Sequence, residues 1–137
     1  MINVSDRSRV ALLALMELAS RGGSSPVPIL QVAGCRGIPA HQVEQVFASL
    51  KRAGLLQSQR GVKGGYTLRR DPAEVTVLEV VEAVDGPIGG TDDPEGCPVA
   101  MIWAEGADRL SNAFREVTVK DVAEREARSA DAPMFHI

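Results

Sequence analysis

A chain of 137 residues, 45% hydrophobic and 24% charged, has room for one domain of ordinary size and an appended helical element. No apolar run approaches the roughly 20 residues needed to cross a bilayer, and MINVSDRSR lacks the apolar core of a signal peptide. Two cysteines, Cys35 and Cys97, are too few and too far apart for a disulfide framework, so a cytoplasmic protein is expected.

The net charge of −3 conceals a division: residues 1–70 hold ten Lys/Arg against three Asp/Glu, and the remainder five against fifteen. A basic half joined to an acidic half suggests that the first half meets a polyanion. In chain order, Ser5 is placed to cap a helix over Asp6–Ser20, whose interior VALLALMELA is apolar nearly all round and predicts burial on two sides. Gly22-Gly23 ends it. A short helix over Pro28–Ala33 and a Gly34-Cys35-Arg36-Gly37 turn lead to a second helix over Pro39–Ala53, stopped by Gly54. In that helix Val43, Val46, Phe47 and Leu50 form an i, i+3, i+4, i+7 stripe, while His41, Gln42, Gln45, Ser49 and Arg52 lie on the other side. A short helix, a tight turn and a longer helix with a polar outer face describe a helix-turn-helix.

Leu55–Gln59 and Tyr66–Arg70 then predict two strands, with Val62-Lys63-Gly64-Gly65 as the hairpin between them. A hairpin directly after a helix-turn-helix is a wing, and Arg60 and Lys63 at its tip can neutralise phosphates or enter a minor groove. Beyond Asp71-Pro72 the charge reverses. Thr76-Val77-Leu78-Glu79 is a capping box, with Val75 and Val80 placed as a hydrophobic staple, for a helix over Val77–Asp85. An acidic, glycine-rich loop follows. Pro98 opens the longest helix, where Val99, Trp103, Ala107, Leu110, Phe114 and Val117 make a seam suited to another helix, expected to be that of a symmetry mate, with packing against the chain's own small domain as the alternative. Thr118 caps a last short helix before the tail. The expected fold class is mostly α with a small β wing. Its parts are a winged helix-turn-helix domain (1–87), an acidic linker or effector loop (88–97), and a dimerisation helix, short helix and tail (98–137).

The stretches VEQVFASLKRAGLL, RGVKGGYTL, TVLEVVEAVDGPI and TVKDVAE, in this order, resemble the Rrf-two family of bacterial winged-helix transcriptional regulators. The resemblance implies a homodimer on a palindromic operator in double-stranded DNA. Pro39, His41 and Glu44 fall where the family's recognition helix meets bases, with Gln42 and Gln45 beside them. Lys51 falls on a phosphate-contacting position, and Arg60 where the wing arginine enters the minor groove. Proline at 39 departs from the more usual serine, so base preference does not transfer. Cluster-binding members carry three cysteines before the long helix; here only Cys97 matches, Ala100 stands where some members have histidine, and Arg9 where others have an acid. One thiolate cannot hold a cluster needing about four ligands, so no iron–sulfur cofactor is expected. Asp92, Asp93 and Glu95 better suit a divalent cation, or simply a solvated loop.

Cys97, immediately before a helix start, is a redox candidate. The MFHI ending looks like that of the family's cysteine-metabolism repressors, which also lack the three cysteines. By that resemblance Phe135 and Ile137 would meet cysteine synthase, the tail entering its active site. The alternative is a tail packed on its own dimer. No phosphate loop, metal-spaced His/Cys cluster or Ser/His/Asp set points to an enzyme. The leading expectation is a DNA-binding repressor, with cysteine or sulfur metabolism as its field. A regulator sensing through Cys97 or the acidic loop, and a partner-binding protein that has lost DNA binding, are the alternatives.

Overall fold

The computed structural model describes residues 2–22 and 24–131. These form α1 (Asp6–Ser20), α2 (Ile29–Arg36), α3 (Ala40–Arg52), β1 (Leu56–Gln59), β2 (Gly65–Leu68), α4 (Val77–Asp85), α5 (Pro98–Arg115) and α6 (Val119–Asp131). α1 is the central element, packed against α2, α3, α4 and α6. That is why its sequence is apolar nearly all round: Val10, Ala11, Ala14, Leu15 and Leu18 all belong to the buried cluster. Its N-terminus is locked from outside. Ser5 Oγ accepts from the Arg7 amide at 3.2 Å, and the Asp85 carboxylate at the end of α4 accepts from the Ser5 amide (2.8 Å) and from the Ser5 and Ser8 hydroxyls (both 2.6 Å).

Two helices depart from the expectations. α2 does not stop at Ala33 but continues to Arg36, so Gly34 and Cys35 lie on a helix and the turn is shorter than expected. The terminator is Gly37, in the left-handed region at φ 64°. The Ile38 amide then bonds back to the Ala33 carbonyl at 3.0 Å, which closes the helix end and returns Ile38 to the core. α6 is not a short appendage either. Its first turn is capped reciprocally, Asp121 N to Thr118 Oγ1 and Thr118 N to Asp121 Oδ2, both at 3.0 Å. Backbone bonds from Val77 to Val117 and from Val119 to Val75, both 2.8 Å, stitch its start to the start of α4. Val119 joins the core built by residues of the first 87, so α6 completes the winged-helix unit and is not a separate layer beyond it.

Thr76 and Glu79 form the capping box of α4 (Glu79 N to Thr76 Oγ1 3.1 Å, Thr76 N to Glu79 Oε1 3.4 Å), and Val75 and Val80 are both buried beside it. In α5 the seam divides. Ala107 is buried, with Gly89 close against it, and Leu110 and Phe114 are half-buried, whereas Val99 and Trp103 remain exposed.

Candidate nucleic-acid interface

α3 is placed by its apolar stripe: Val43, Val46, Phe47 and Leu50 are all at most 2% exposed. With that face committed to the core, Pro39, His41, Glu44 and Gln45 are exposed and Gln42 half-buried on the outer side. Pro39 is the N-cap and not the first helical residue, and among the described residues no side chain caps the helix start. The first backbone N–H groups of α3 therefore have no side-chain acceptor, which leaves them available to an anion. The proline-for-serine departure is visible in the sequence, and a proline side chain has no oxygen with which to cap the helix.

The hairpin pairs Leu56 with Leu68, Gln57 with Thr67, Ser58 with Tyr66 and Gln59 with Gly65. Its two adjacent glycines serve different approaches. A Cβ on Gly64 would strike the Gln59 carbonyl oxygen across the turn, and one on Gly65 would lie 2.5 Å from the Val27 carbonyl oxygen. The second approach lets Tyr66 exchange two backbone bonds with Val27, at 3.0 and 2.9 Å. Tyr66 also packs against Phe47 in a tilted ring pair, centroids 4.9 Å apart and planes at 54°. The wing is thereby fastened to both the segment before α2 and the core face of α3. Lys51 Nζ donates to Ser58 Oγ at 2.7 Å, tying the end of α3 to β1.

Ion pairing sorts the ten cations of the basic half. Arg7 pairs with Asp85, Arg9 with Asp6, Arg21 with Glu17, Arg36 with Glu17 and Glu126, and Arg70 with Glu79. Among the described residues, no carboxylate lies within ion-pair distance of Lys51, Arg52, Arg60, Lys63 or Arg69, and all five are exposed on α3, the wing and the residue just beyond β2. Strand β2 ends at Leu68, so Arg69 and Arg70 lie beyond the returning strand and not on it. Arg70 turns to Glu79 and the Glu74 carbonyl. Sequence reasoning could not separate these neighbours. Charge by itself marks both; only the position of α4 removes one.

A helix-turn-helix with an open polar face, followed by a wing of unpaired cations, defines a winged-helix DNA-binding protein. The Rrf2 family model, described as "Iron-dependent Transcriptional regulator", matches residues 4–125, and the chain belongs to that family: it is a DNA-binding transcriptional regulator. It is 30% identical over 149 residues to the HTH-type transcriptional regulator IscR of Cronobacter sakazakii, covering 96% of this chain and 92% of that protein. Among solved structures, CymR, the global cysteine regulator of B. subtilis, superposes with a TM-score of 0.79 at 28% identity, covering 91% of this chain and 98% of that one. IscR of T. potens superposes with a TM-score of 0.78 at 25% identity, covering 96% and 93%. These relatives are regulators, not enzymes. No helix among the described residues is long and apolar enough to cross a membrane.

The family's iron–sulfur chemistry does not fit the side chains present. Cys97 is the N-cap of α5 and half-exposed, and it is the sole thiol of its loop. Asp92, Asp93 and Glu95 around it are exposed, and Asp93 is turned to Thr91, whose hydroxyl donates to it at 2.7 Å. Among the described residues no three His, Cys, Asp or Glu side chains converge as a metal site. Cys35 is exposed on the last turn of α2 and not in the turn beyond it, and Arg21 Nη2 donates to its sulfur at 3.2 Å. Phe135 and Ile137 lie outside the described residues.

Proposed function

We propose that the chain acts as a homodimer on a palindromic operator and represses transcription, with α3 in the major groove and the wing in the adjacent minor groove. The unpaired set Lys51, Arg52, Arg60, Lys63 and Arg69 carries this reading. Every other cation of the basic half has a carboxylate beside it, from Asp6 and Glu17 in its own half or from Glu79, Asp85 and Glu126 in the acidic half, whereas these five have none among the described residues and stay open to a polyanion. Pro39, His41, Gln42, Glu44 and Gln45 are the side chains facing bases, and the uncapped start of α3 accepts a phosphate. The second copy is supported by the open end of α5. Val99, Met101, Ile102 and Trp103 are 44–63% exposed there, an apolar patch of the kind that interfaces cover. Its likeness to CymR and its single loop thiol favour cysteine or sulfur metabolism as the regulated field, with cysteine synthase as the partner of the tail.

The test is binding of a duplex enriched by the protein from random sequence, titrated with salt. Arg60→Ala and Lys63→Ala should each weaken binding and reduce the slope of log K against log salt by about one phosphate equivalent. A double variant with unchanged affinity and unchanged slope would take the wing out of the mechanism. His41→Ala should change base preference more than the slope.

A further inference from the structure

The wing tip holds an apolar side chain among its cations. Val62 is 106% exposed relative to an extended reference, so none of the described residues covers it. Arg60 and Lys63 flank it, both exposed and neither ion-paired among the described residues. Its position is held, not free to collapse. Gly64 N bonds to the Gly61 carbonyl at 3.0 Å across the turn, Gly61 takes φ 118°, and the base of the hairpin is fastened to Val27. A valine held out in solvent on a cationic tip contributes nothing to folding. What covers it must be something that the flanking cations attract.

We propose that Val62 is an apolar wedge that enters the minor groove between Arg60 and Lys63 and makes the wing select A·T pairs there. The inference rests on the wing reading above and extends it from phosphate attraction to base selection. The minor groove is about 6 Å wide, narrow enough for a single side chain to be packed between its sugar walls. Its floor distinguishes A·T from G·C chiefly by the guanine N2 amino group, a donor that projects into the groove. An isopropyl group offers that donor no acceptor and occupies the space it needs. Over A·T the floor is clear, and the methyl groups leave water against sugar and base edges. Arg60 and Lys63 meanwhile hold the backbone on either side.

The experiment uses the full chain and the enriched duplex, with 2,6-diaminopurine replacing adenine at the pairs that the wing protects. This adds an amino group to the minor-groove floor and leaves the major-groove pattern unchanged. Wild-type binding should fall about tenfold on that duplex, the scale of a mismatched pair. Val62→Ala should bind the unmodified duplex about ten- to fifteenfold more weakly, as for two methyl groups no longer buried, with its salt slope and melting temperature unchanged. It should show little further loss on the diaminopurine duplex. If Val62→Ala keeps full affinity and the full diaminopurine penalty while Arg60→Ala lowers the salt slope, the wing lies on DNA and Val62 has no part in reading it. If Val62→Ala lowers the slope, its effect is on the neighbouring cations and the wedge is refuted. An Arg60→Ala slope equal to wild type instead overturns the wing reading on which the wedge depends.

Discussion

Replacing Gly65 by alanine tests how the wing is held. The added methyl would lie 2.5 Å from the Val27 carbonyl oxygen and 2.7 Å from Pro28 N. Relieving that to ordinary van der Waals separation requires about 1 Å of movement between hairpin and loop. The same movement stretches the Val27–Tyr66 bonds, now 3.0 and 2.9 Å, beyond hydrogen-bonding distance. Two backbone bonds at about 1 kcal/mol each, with about 1–2 kcal/mol for a non-glycine residue at φ 152°, give a loss of about 3–4 kcal/mol. For a domain of this size that lowers Tm by about 10–15 °C without unfolding it at 25 °C. Gly61→Ala is the control: its φ is 118°, but nothing lies within 4 Å of the added atom, so only the strain of about 1–2 kcal/mol applies. Thermal or urea unfolding of both variants, with hydrogen exchange at the Tyr66 amide, reads the difference. Tyr66 should lose protection in Gly65→Ala and keep it in Gly61→Ala. Equal melting temperatures for the two variants, with Tyr66 still protected, would refute the close approach.

Three further outcomes are expected. Asp85→Ala removes an acceptor whose side chain is 2% exposed and leaves the Ser5 and Ser8 hydroxyls without it, at a cost of about 3 kcal/mol; urea unfolding measures it, and a loss below 1 kcal/mol would show that the network is not stabilising. The pH dependence follows from the same carboxylate. Burial pushes its pKa up, but bonds from Ser5 and Ser8 and the nearby Arg7 outweigh that and leave it below the ordinary value. A depressed pKa makes the contribution fully present above the unfolded-state value near 4 and lost as pH falls through the lower folded value. Wild type should therefore lose stability below about pH 4 more steeply than Asp85→Asn, and identical acid limbs would contradict the assignment. Trp103→Glu places a charge in the open face of α5 and should weaken self-association at least a hundredfold by sedimentation, on the scale of about 3 kcal/mol for an unpaired charge at an interface; an unchanged dimer would put the second copy elsewhere.

Features that depend on a few neighbouring residues were legible in the sequence. The Thr76–Glu79 capping box and the Val43–Leu50 stripe stand as expected, because a cap and a helical face are closed within about one turn of chain. The wing's hairpin also forms, but its turn closes between Gly61 and Gly64, and Gly65 is already the first residue of β2. The open polar face of α3 followed from that stripe, since burying one side exposes the other. Tertiary packing decided the rest. α2 runs past Gly34 because Ile38 must return to the core and because Arg36 is held by Glu17 and by Glu126, 90 residues away. Gly65 has to be glycine on account of Val27, a residue far from it in sequence. Val119 draws α6 into the core of the first domain, a docking that its own polar helix does not advertise. Arg69 and Arg70 are identical by type and adjacent in the chain, yet among the described residues only Arg70 has a carboxylate beside it. Coulomb energy depends on separation in space, and that separation is set by where α4 packs.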